Sequence, residues 1–360
     1  MAKKVLFIAN HRLGRSPGQR FRFEQYLNFL EENGYEWEIS NIISEKDDAI
    51  LYSKGNFLEK AALANKAWKI RKHDVERANE FDLIFIFREA LLTRSVRFEK
   101  LFAASKAKVI FDFDDAIWLP NVSSGNKMLQ MLKNPSKTQK IIGLADLVFA
   151  GNRYLADFAS QYNSNVKVIP TTIDTNYHQR NNFSEKNTLC IGWTGTQTTL
   201  KYLNELLPVF IQLKEKFKER ISFKVICDQA WNPTEIEVNN EVWDPKTEIQ
   251  QLEEIDIGVM PLTDDAWSRG KCGFKGLQYM ALEIPSVLSP VGVNTEIIED
   301  GVNGFLAETG EDWMRILSLL IEDSDLRKSI GKAARKTIEL NYSVEANKAL
   351  YLESFNDLTK

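Results

Sequence analysis

The residues whose types and spacing best suit chemistry lie in Lys271-Cys272-Gly273-Phe274-Lys275-Gly276-Leu277-Gln278. Gly273 and Gly276 permit close approach to the backbone, the apolar residues that follow read as a short helix, and Lys271 and Lys275 flank its mouth. A helix start with two nearby ammonium groups favours an anion, so a phosphorylated ligand is expected. The plainer alternative is a solvated lysine face, but Gly, Cys and Phe interleave with the lysines where such a face would be more polar. A second loop, Gly195-Thr196-Gln197-Thr198-Thr199, offers backbone N–H groups and hydroxyls to a phosphate, or is a strand-to-helix turn with Thr as N-cap. Earlier, Phe111-Asp112-Phe113-Asp114-Asp115 places three carboxylates at the end of an apolar run. Clustered carboxylates shift one another's pKa or bind a cation, which makes Asp114 and Asp115 candidate catalytic groups, with helix N-capping as the alternative. Arg88-Glu89 ends another apolar run. Arg12, Arg15, Arg20 and Arg22 crowd a loop containing Gly14 and Gly18, a density that suits an anionic or polyhydroxylated substrate. His11, His73 and His178 have no mutual spacing for a metal, and no metal site is assigned. Neither a Gly-x-Ser-x-Gly elbow nor a Gly-x4-Gly-Lys-Ser/Thr loop occurs, which argues against those hydrolases and kinases.

Such loops need elements behind them. Val5 to Ala9 is a continuous apolar run, typical of a strand covered on both faces, and it opens into the polar loop Asn10 to Gly18. Phe21, Tyr26, Leu27 and Leu30 recur at helical spacing, Asn33-Gly34 supplies a stop, and Trp37 and Ile39 begin the next strand. Apolar runs at Leu83 to Phe87, Val109 to Phe113, Leu147 to Ala150 and Val166 to Ile169 alternate with helical segments. This is the pattern of a parallel sheet with helices on both faces, and one Rossmann-like unit is expected to end near residue 170. Thr175 to Asn187 reads as a linker. The grammar then restarts: strand Leu189 to Trp193, helix Leu203 to Phe217 with Leu206, Leu207, Phe210, Leu213 and Phe217 inward, and strands at Phe223 to Cys227, Ile255 to Met260 and Ser286 to Ser289. Ser324 to Leu358 reads as two helices broken near Asn341-Tyr342-Ser343. In open parallel sheets the ligand crevice lies beyond the carboxyl ends of the strands, where all of the loops above fall.

Composition sets the outer limits. At 360 residues the chain fits two domains. Its 46 basic and 50 acidic residues are interspersed with a net charge of −4, so no global field for gripping nucleic acid is expected. Cys190, Cys227 and Cys272 lack paired spacing, which points away from disulfides and structural zinc and towards a reducing, cytoplasmic location. No apolar run reaches membrane-spanning length. Phe57 to Lys72 alternates Leu58, Ala61, Ala62, Leu63 and Trp68 with Lys60, Lys66, Lys69, Arg71 and Lys72. It reads either as a basic amphipathic helix resting peripherally on the inner face of a membrane or as a surface helix packing its apolar side inward.

Four segments carry a resemblance: Ala145-Asp146-Leu147-Val148-Phe149-Ala150-Gly151-Asn152, Val168-Ile169-Pro170-Thr171-Thr172-Ile173-Asp174, Ile191-Gly192-Trp193-Thr194-Gly195-Thr196, and Gln278 to Pro285 continuing to Asn303-Gly304-Phe305. In this order and spacing the chain resembles a retaining GT-B glycosyltransferase of the group 1, family 4 class. The resemblance implies an α/β, GT-B architecture, two Rossmann-like domains whose parallel sheets face each other across a cleft. Residues 1–170 would form the acceptor domain, with helix 343–360 packing back on it, and 171–342 the nucleotide-sugar domain. It implies transfer of a hexose, with retention, from a UDP-, GDP- or TDP-linked sugar to a glycan or lipid-linked acceptor in polysaccharide biosynthesis, without a cofactor. Gly195, Thr196, Lys201, Lys271, Gly273, Lys275 and Gln278 would hold the donor. Gly14, Arg20, Arg88 and Glu89 would hold the acceptor, and Asp114 and Asp115 would orient or deprotonate its hydroxyl. The chain departs from the family's Glu-x7-Glu pattern: the second position is Gln278 and the first falls near Gly270, without a carboxylate. Two other readings compete: a metal-dependent GT-A enzyme using Asp112 and Asp114, and a non-catalytic nucleotide-sugar or glycan-binding protein.

Overall fold

The computed structural model describes residues 2–52, 55–119, 134–181 and 187–360. They form two compact units, Met1–Thr171 together with Asn347–Lys360, and Thr172–Ala346.

The first unit is built on strands β1 (Lys3–His11), β2 (Tyr35–Ile43), β3 (Leu83–Phe87), β4 (Lys108–Phe113), β5 (Leu147–Ala150) and β6 (Val166–Val168), all parallel, in the order β2-β1-β3-β4-β5-β6. Val5 to Ala9 and Leu83 to Phe87 are buried throughout, as a sheet covered on both faces requires. Aromatic rings fill one face: Phe7 stacks on Phe23 and leans on Phe85, which meets Phe149. The last helix, Val344–Leu358, closes this core. Tyr351 stacks on Tyr26 with centroids 4.3 Å apart, and Phe355 stacks on Phe85 at 6.2 Å.

The second unit repeats the plan with β7 (Leu189–Thr194), β8 (Ile221–Ile226), β9 (Asn239–Glu241), β10 (Ile257–Met260), β11 (Ser286–Leu288) and β12 (Phe305–Leu306), parallel in the order β12-β11-β10-β7-β8-β9. The expected helix Leu203 to Phe217 is divided. A short helix Leu200–Leu203 and one 3-10 turn lead to Leu207–Phe217, where Pro208 fits the first turn because it needs no N–H partner there. Sequence reading missed β9 and β12, which are only three and two residues long. The break near 341–343 is present: Ser324–Thr337 passes through a π turn at Ile338–Tyr342 before Val344–Leu358 begins.

Two expectations are corrected. The start of the interval read as a linker is pinned, because Arg335 donates to the carbonyls of Thr175 and His178 and His178 is fully buried; residues 182–186 of that interval lie outside the described residues. In helix Phe57–Arg77 the inward face is Leu63, Ala67, Arg71 and Asp74, so Arg71, expected on the basic outer face, is buried while Leu58 is 87% exposed. Burial of Arg71 is sustained by its partners: it donates to the carbonyls of Ala9, Ser40 and Ala90 and pairs with Asp74.

Each sheet reverses its strand order once, between β1 and β3 in the first unit and between β7 and β10 in the second. At such a switch the connections leave on opposite faces and open a crevice at the carboxyl edge. The loops there are those after β1 and β3, and those after β7 and β10.

Candidate functional site

At the second unit's switch, Trp193 lies next to the end of β7 as a buried indole and links two of the expected site segments. Lys275 Nζ lies 5.5 Å from its ring centroid. A Cβ on Gly195 would come within 2.3 Å of the same ring, so glycine is required where the loop folds over the indole. The end of β7 is fixed from the other side, since Thr194 N–H donates to the Tyr279 hydroxyl at 2.9 Å, and burial pushes that phenol's pKa up. Lys275 and Tyr279 both belong to helix Phe274–Ala281, which thereby ties loop Gly195–Thr199 to the start of the helix. Gly273 caps this helix with φ of +67°, and a Cβ there would meet Ile297 at 2.4 Å. The helix begins at Phe274, so Lys275 lies in its first turn and Lys271 precedes it, in keeping with the expected flanking of its start. Lys271 Nζ turns to Trp267, 5.3 Å from that ring. Both rings carry a cation on one face, a cation–π arrangement.

Loop Gly195–Thr199 is more self-contained than expected. Gly195 N–H donates to the carbonyl of Ile226, Thr196 N–H to the Thr199 hydroxyl, and Gln197 N–H to Asp228 Oδ1 at 2.7 Å. Asp228, missed in the sequence, thus places a carboxylate at the amides proposed for phosphate. Its position immediately after β8 was the available signal. Lys201 is exposed, with Nζ 4.7 Å from the Tyr202 ring. Gln278 is buried and donates to Glu248 Oε1 at 3.1 Å.

In the first unit, Arg88 directly follows β3 with φ of +62°, a left-handed conformation that costs a non-glycine residue about 1 kcal/mol or more. Its Nε donates to Asp114 Oδ1 and its Nη2 to Asp115 Oδ2, both at 2.7 Å, so one guanidinium spans the two candidate catalytic carboxylates. Burial works against the Arg88 charge, but Asp114 and Asp115 outweigh it and raise its pKa. Gly18 lies beside them: a Cβ there would approach Asp114 Oδ2 at 3.3 Å and Arg88 Nη2 at 3.5 Å. The loop after β1 is laced from within. Glu24 accepts from Gly14 N–H at 2.8 Å, Gln19 brackets the backbone of His11, and Asp48 accepts from Arg12 and Arg15. His11 lies close to the same Asp48, with burial and then Arg15 lowering its pKa. Arg20 lies over the Phe21 ring at 4.8 Å, and Glu89 accepts from Lys137 at 2.8 Å, a packing role beside the expected acceptor role. Asp112 is not a cation ligand: its two oxygens are held by Arg22 Nε and Nη2 in a fully buried pair. The metal-dependent alternative built on Asp112 and Asp114 is therefore not favoured. Among the described residues no group of three or more His, Cys, Asp or Glu is placed to hold a metal ion.

Residues 176–337, within the second unit, match the family described as Glycosyl transferases group 1. The chain is similar in structure to a glycosyltransferase from Rickettsia africae ESF-5 (16% identity, 100% of this chain and 99% of that one, TM-score 0.69). It is likewise similar to sucrose-phosphate synthase from Thermosynechococcus elongatus (11% identity, 99% of each chain, TM-score 0.72). A third similar structure is Anabaena HepE in complex with UDP and glucose (13% identity, 99% of this chain and 100% of that one, TM-score 0.66). No curated protein matches the chain in sequence. At these identities the likeness establishes the fold: two parallel six-stranded α/β sheets of the kind found in GT-B glycosyltransferases.

Proposed function

We propose that this chain is a glycosyltransferase that moves a hexose, with retention, from a nucleotide diphosphate sugar to a glycan or lipid-linked acceptor in polysaccharide biosynthesis. The observation that carries the reading is the cluster of Lys275, Trp193 and Gly195 at the second sheet's switch point, a cation and a glycine loop where an α/β sheet binds ligands. The match of 176–337 to group 1 glycosyl transferases supports it, as do similar structures described as complexes with UDP and with UDP-glucose. In this reading Lys275 and Lys271 stabilise negative charge as it develops on the leaving diphosphate, together with amides at the start of helix Phe274–Ala281. The second unit takes the donor through Gly195, Thr196, Lys201, Gly273 and Gln278. The first takes the acceptor beside Gly14, Arg20, Arg88 and Glu89, with Asp114 and Asp115 orienting its hydroxyl. Calorimetric titration with UDP, GDP and TDP tests the donor half: binding of one of them is expected, and binding of none would overturn it.

The same proposal places the enzyme on the cytoplasmic side of a membrane, in peripheral contact. Phe57 and Leu58 are 68% and 87% exposed at the start of helix Phe57–Arg77, with Lys60, Lys69 and Lys72 along it. Co-sedimentation with phosphatidylglycerol vesicles at low salt should be lost in Phe57→Ser/Leu58→Ser. No helix among the described residues is long and apolar enough to cross a membrane.

A further inference from the structure

The loops at the carboxyl edge of the first sheet bring four arginines against four carboxylates. Arg12 and Arg15 both donate to Asp48, Arg20 and Glu24 interact electrostatically, and Arg88 donates to Asp114 and Asp115. The arginine density that suggested an anionic ligand is therefore answered from within the chain. At Arg88 the balance passes zero, because one guanidinium facing two carboxylates leaves a negative charge in excess. This cluster can be reached from solvent: the side chains of Arg88, Asp114 and Asp115 are 32%, 12% and 23% exposed. Arg88 spends Nε and Nη2 on the carboxylates, and among the described residues its Nη1 has no protein acceptor. A Cβ on Gly18 would lie 3.3 Å from Asp114 Oδ2, so glycine there keeps a side chain off that oxygen.

Guanidinium N–H groups, which only donate, thus stand beside carboxylate oxygens, which only accept. A hydroxyl does both and can satisfy each kind of neighbour at once. A carboxylate or phosphate only accepts, so it would engage Arg88 and be repelled by Asp114 and Asp115. From this pairing we infer that the sugar residue received at the first unit's rim is an uncharged hexopyranose, not a uronic acid or a sugar phosphate, and that Asp115 is the specificity-determining residue that turns the anion away. Asp115 takes this role because it is the more exposed of the two carboxylates. The inference rests on the acceptor reading above and names the class of acceptor sugar within it.

The test is saturation-transfer NMR titration of the full chain, with UDP, GDP or TDP present, against paired methyl glycosides and methyl uronides: glucoside with glucuronide, galactoside with galacturonide, and mannoside with mannuronide. The members of a pair differ only in carrying a hydroxymethyl group or a carboxylate. In at least one pair the neutral member should bind about five-fold tighter, the scale of repulsion between two exposed unit charges in contact. Asp115→Asn, which balances the cluster, should bring that ratio close to one. Asp114→Asn/Asp115→Asn, which leaves the Arg88 charge uncompensated, should reverse it, an inversion that a merely structural role would not produce. If the double variant fails to fold, Asp115→Asn decides the matter. A wild type that binds the uronide as tightly as its partner, a ratio unchanged in Asp115→Asn, or absence of binding by every neutral glycoside overturns the assignment. Nucleotide binding alongside any of those results leaves the donor site standing and removes only this role. A neutral preference that Asp115→Asn abolishes, without binding of any nucleotide, keeps the sugar site and removes the transferase reading.

Discussion

Lys275 and Gly195 meet on one indole: the lysine ammonium stands 5.5 Å from the Trp193 centroid, while the glycine leaves room of barely 2.3 Å between that ring and where a Cβ would be. A strand-end loop and a helix start separated by eighty residues of sequence are thereby held in one place. Lys275→Ala should weaken UDP or GDP binding at least ten-fold, measured by calorimetry, with an unchanged melting temperature, because the half-exposed ammonium contributes little to folding. Lys271→Ala, whose cation lies on Trp267 instead, should have the smaller effect.

Arg88 pairs with both Asp114 and Asp115 through one guanidinium. If Asp114 orients the acceptor hydroxyl, Asp114→Asn should lower kcat by about 10²-fold or more while the affinity for the nucleotide stays within two-fold. Steady-state kinetics with the true donor, beside nucleotide titration, separates the two.

The Arg22–Asp112 pair is buried on both sides. Asp112→Ala should cost about 3–5 kcal/mol in urea unfolding, because it strands a guanidinium in the core. The double variant Arg22→Met/Asp112→Leu should cost less than the single one, since no unpaired charge is left behind.

Asp47 gives an acid-range prediction. Burial raises its pKa, but hydrogen bonds from Lys66 and from the Ser44 hydroxyl and N–H outweigh that and hold it down at about 2. An unfolded Asp titrates near 3.9. The native state therefore gains stability from this group above about pH 4 and loses it as the pH falls towards about 2. Lys66 is 46% exposed, so screening reduces the gain to about 1 kcal/mol. Asp47→Asn should be less stable by that amount at pH 7, and urea midpoints of variant and wild type should converge near pH 2.

Much of the architecture was legible in the sequence because buried parallel strands write themselves as unbroken apolar runs. Val5 to Ala9 and Leu83 to Phe87 are such runs, and both are strands buried along their length. Strands β9 and β12 were not legible, being edge strands of three and two residues, too short for a pattern, and β9 has no apolar residue at all. The candidate site was legible in outline only. The lysines and glycines at a helix start pointed to Lys271 and Lys275, but the left-handed turn at Gly273 and the separate indoles the two lysines lie on are not encoded in spacing. Trp193 was read as part of the strand Leu189 to Trp193 and Asp228 was missed altogether; only pairing in space shows them beside Lys275 and Gln197. Arg71 defeated the pattern for a related reason, since a long charged side chain can be interior when several carbonyls receive it.

That guanidinium has a mechanical corollary. By gripping Ala9 on β1, Ser40 on β2 and Ala90 just past β3, Arg71 ties three neighbouring strands to a single long helix. The rim formed by Asn10 to Gly18 and by Arg88 is accordingly preset, and a force applied to the outer end of that helix at Phe57 and Leu58 would be felt at the rim as displacement of one stiff body.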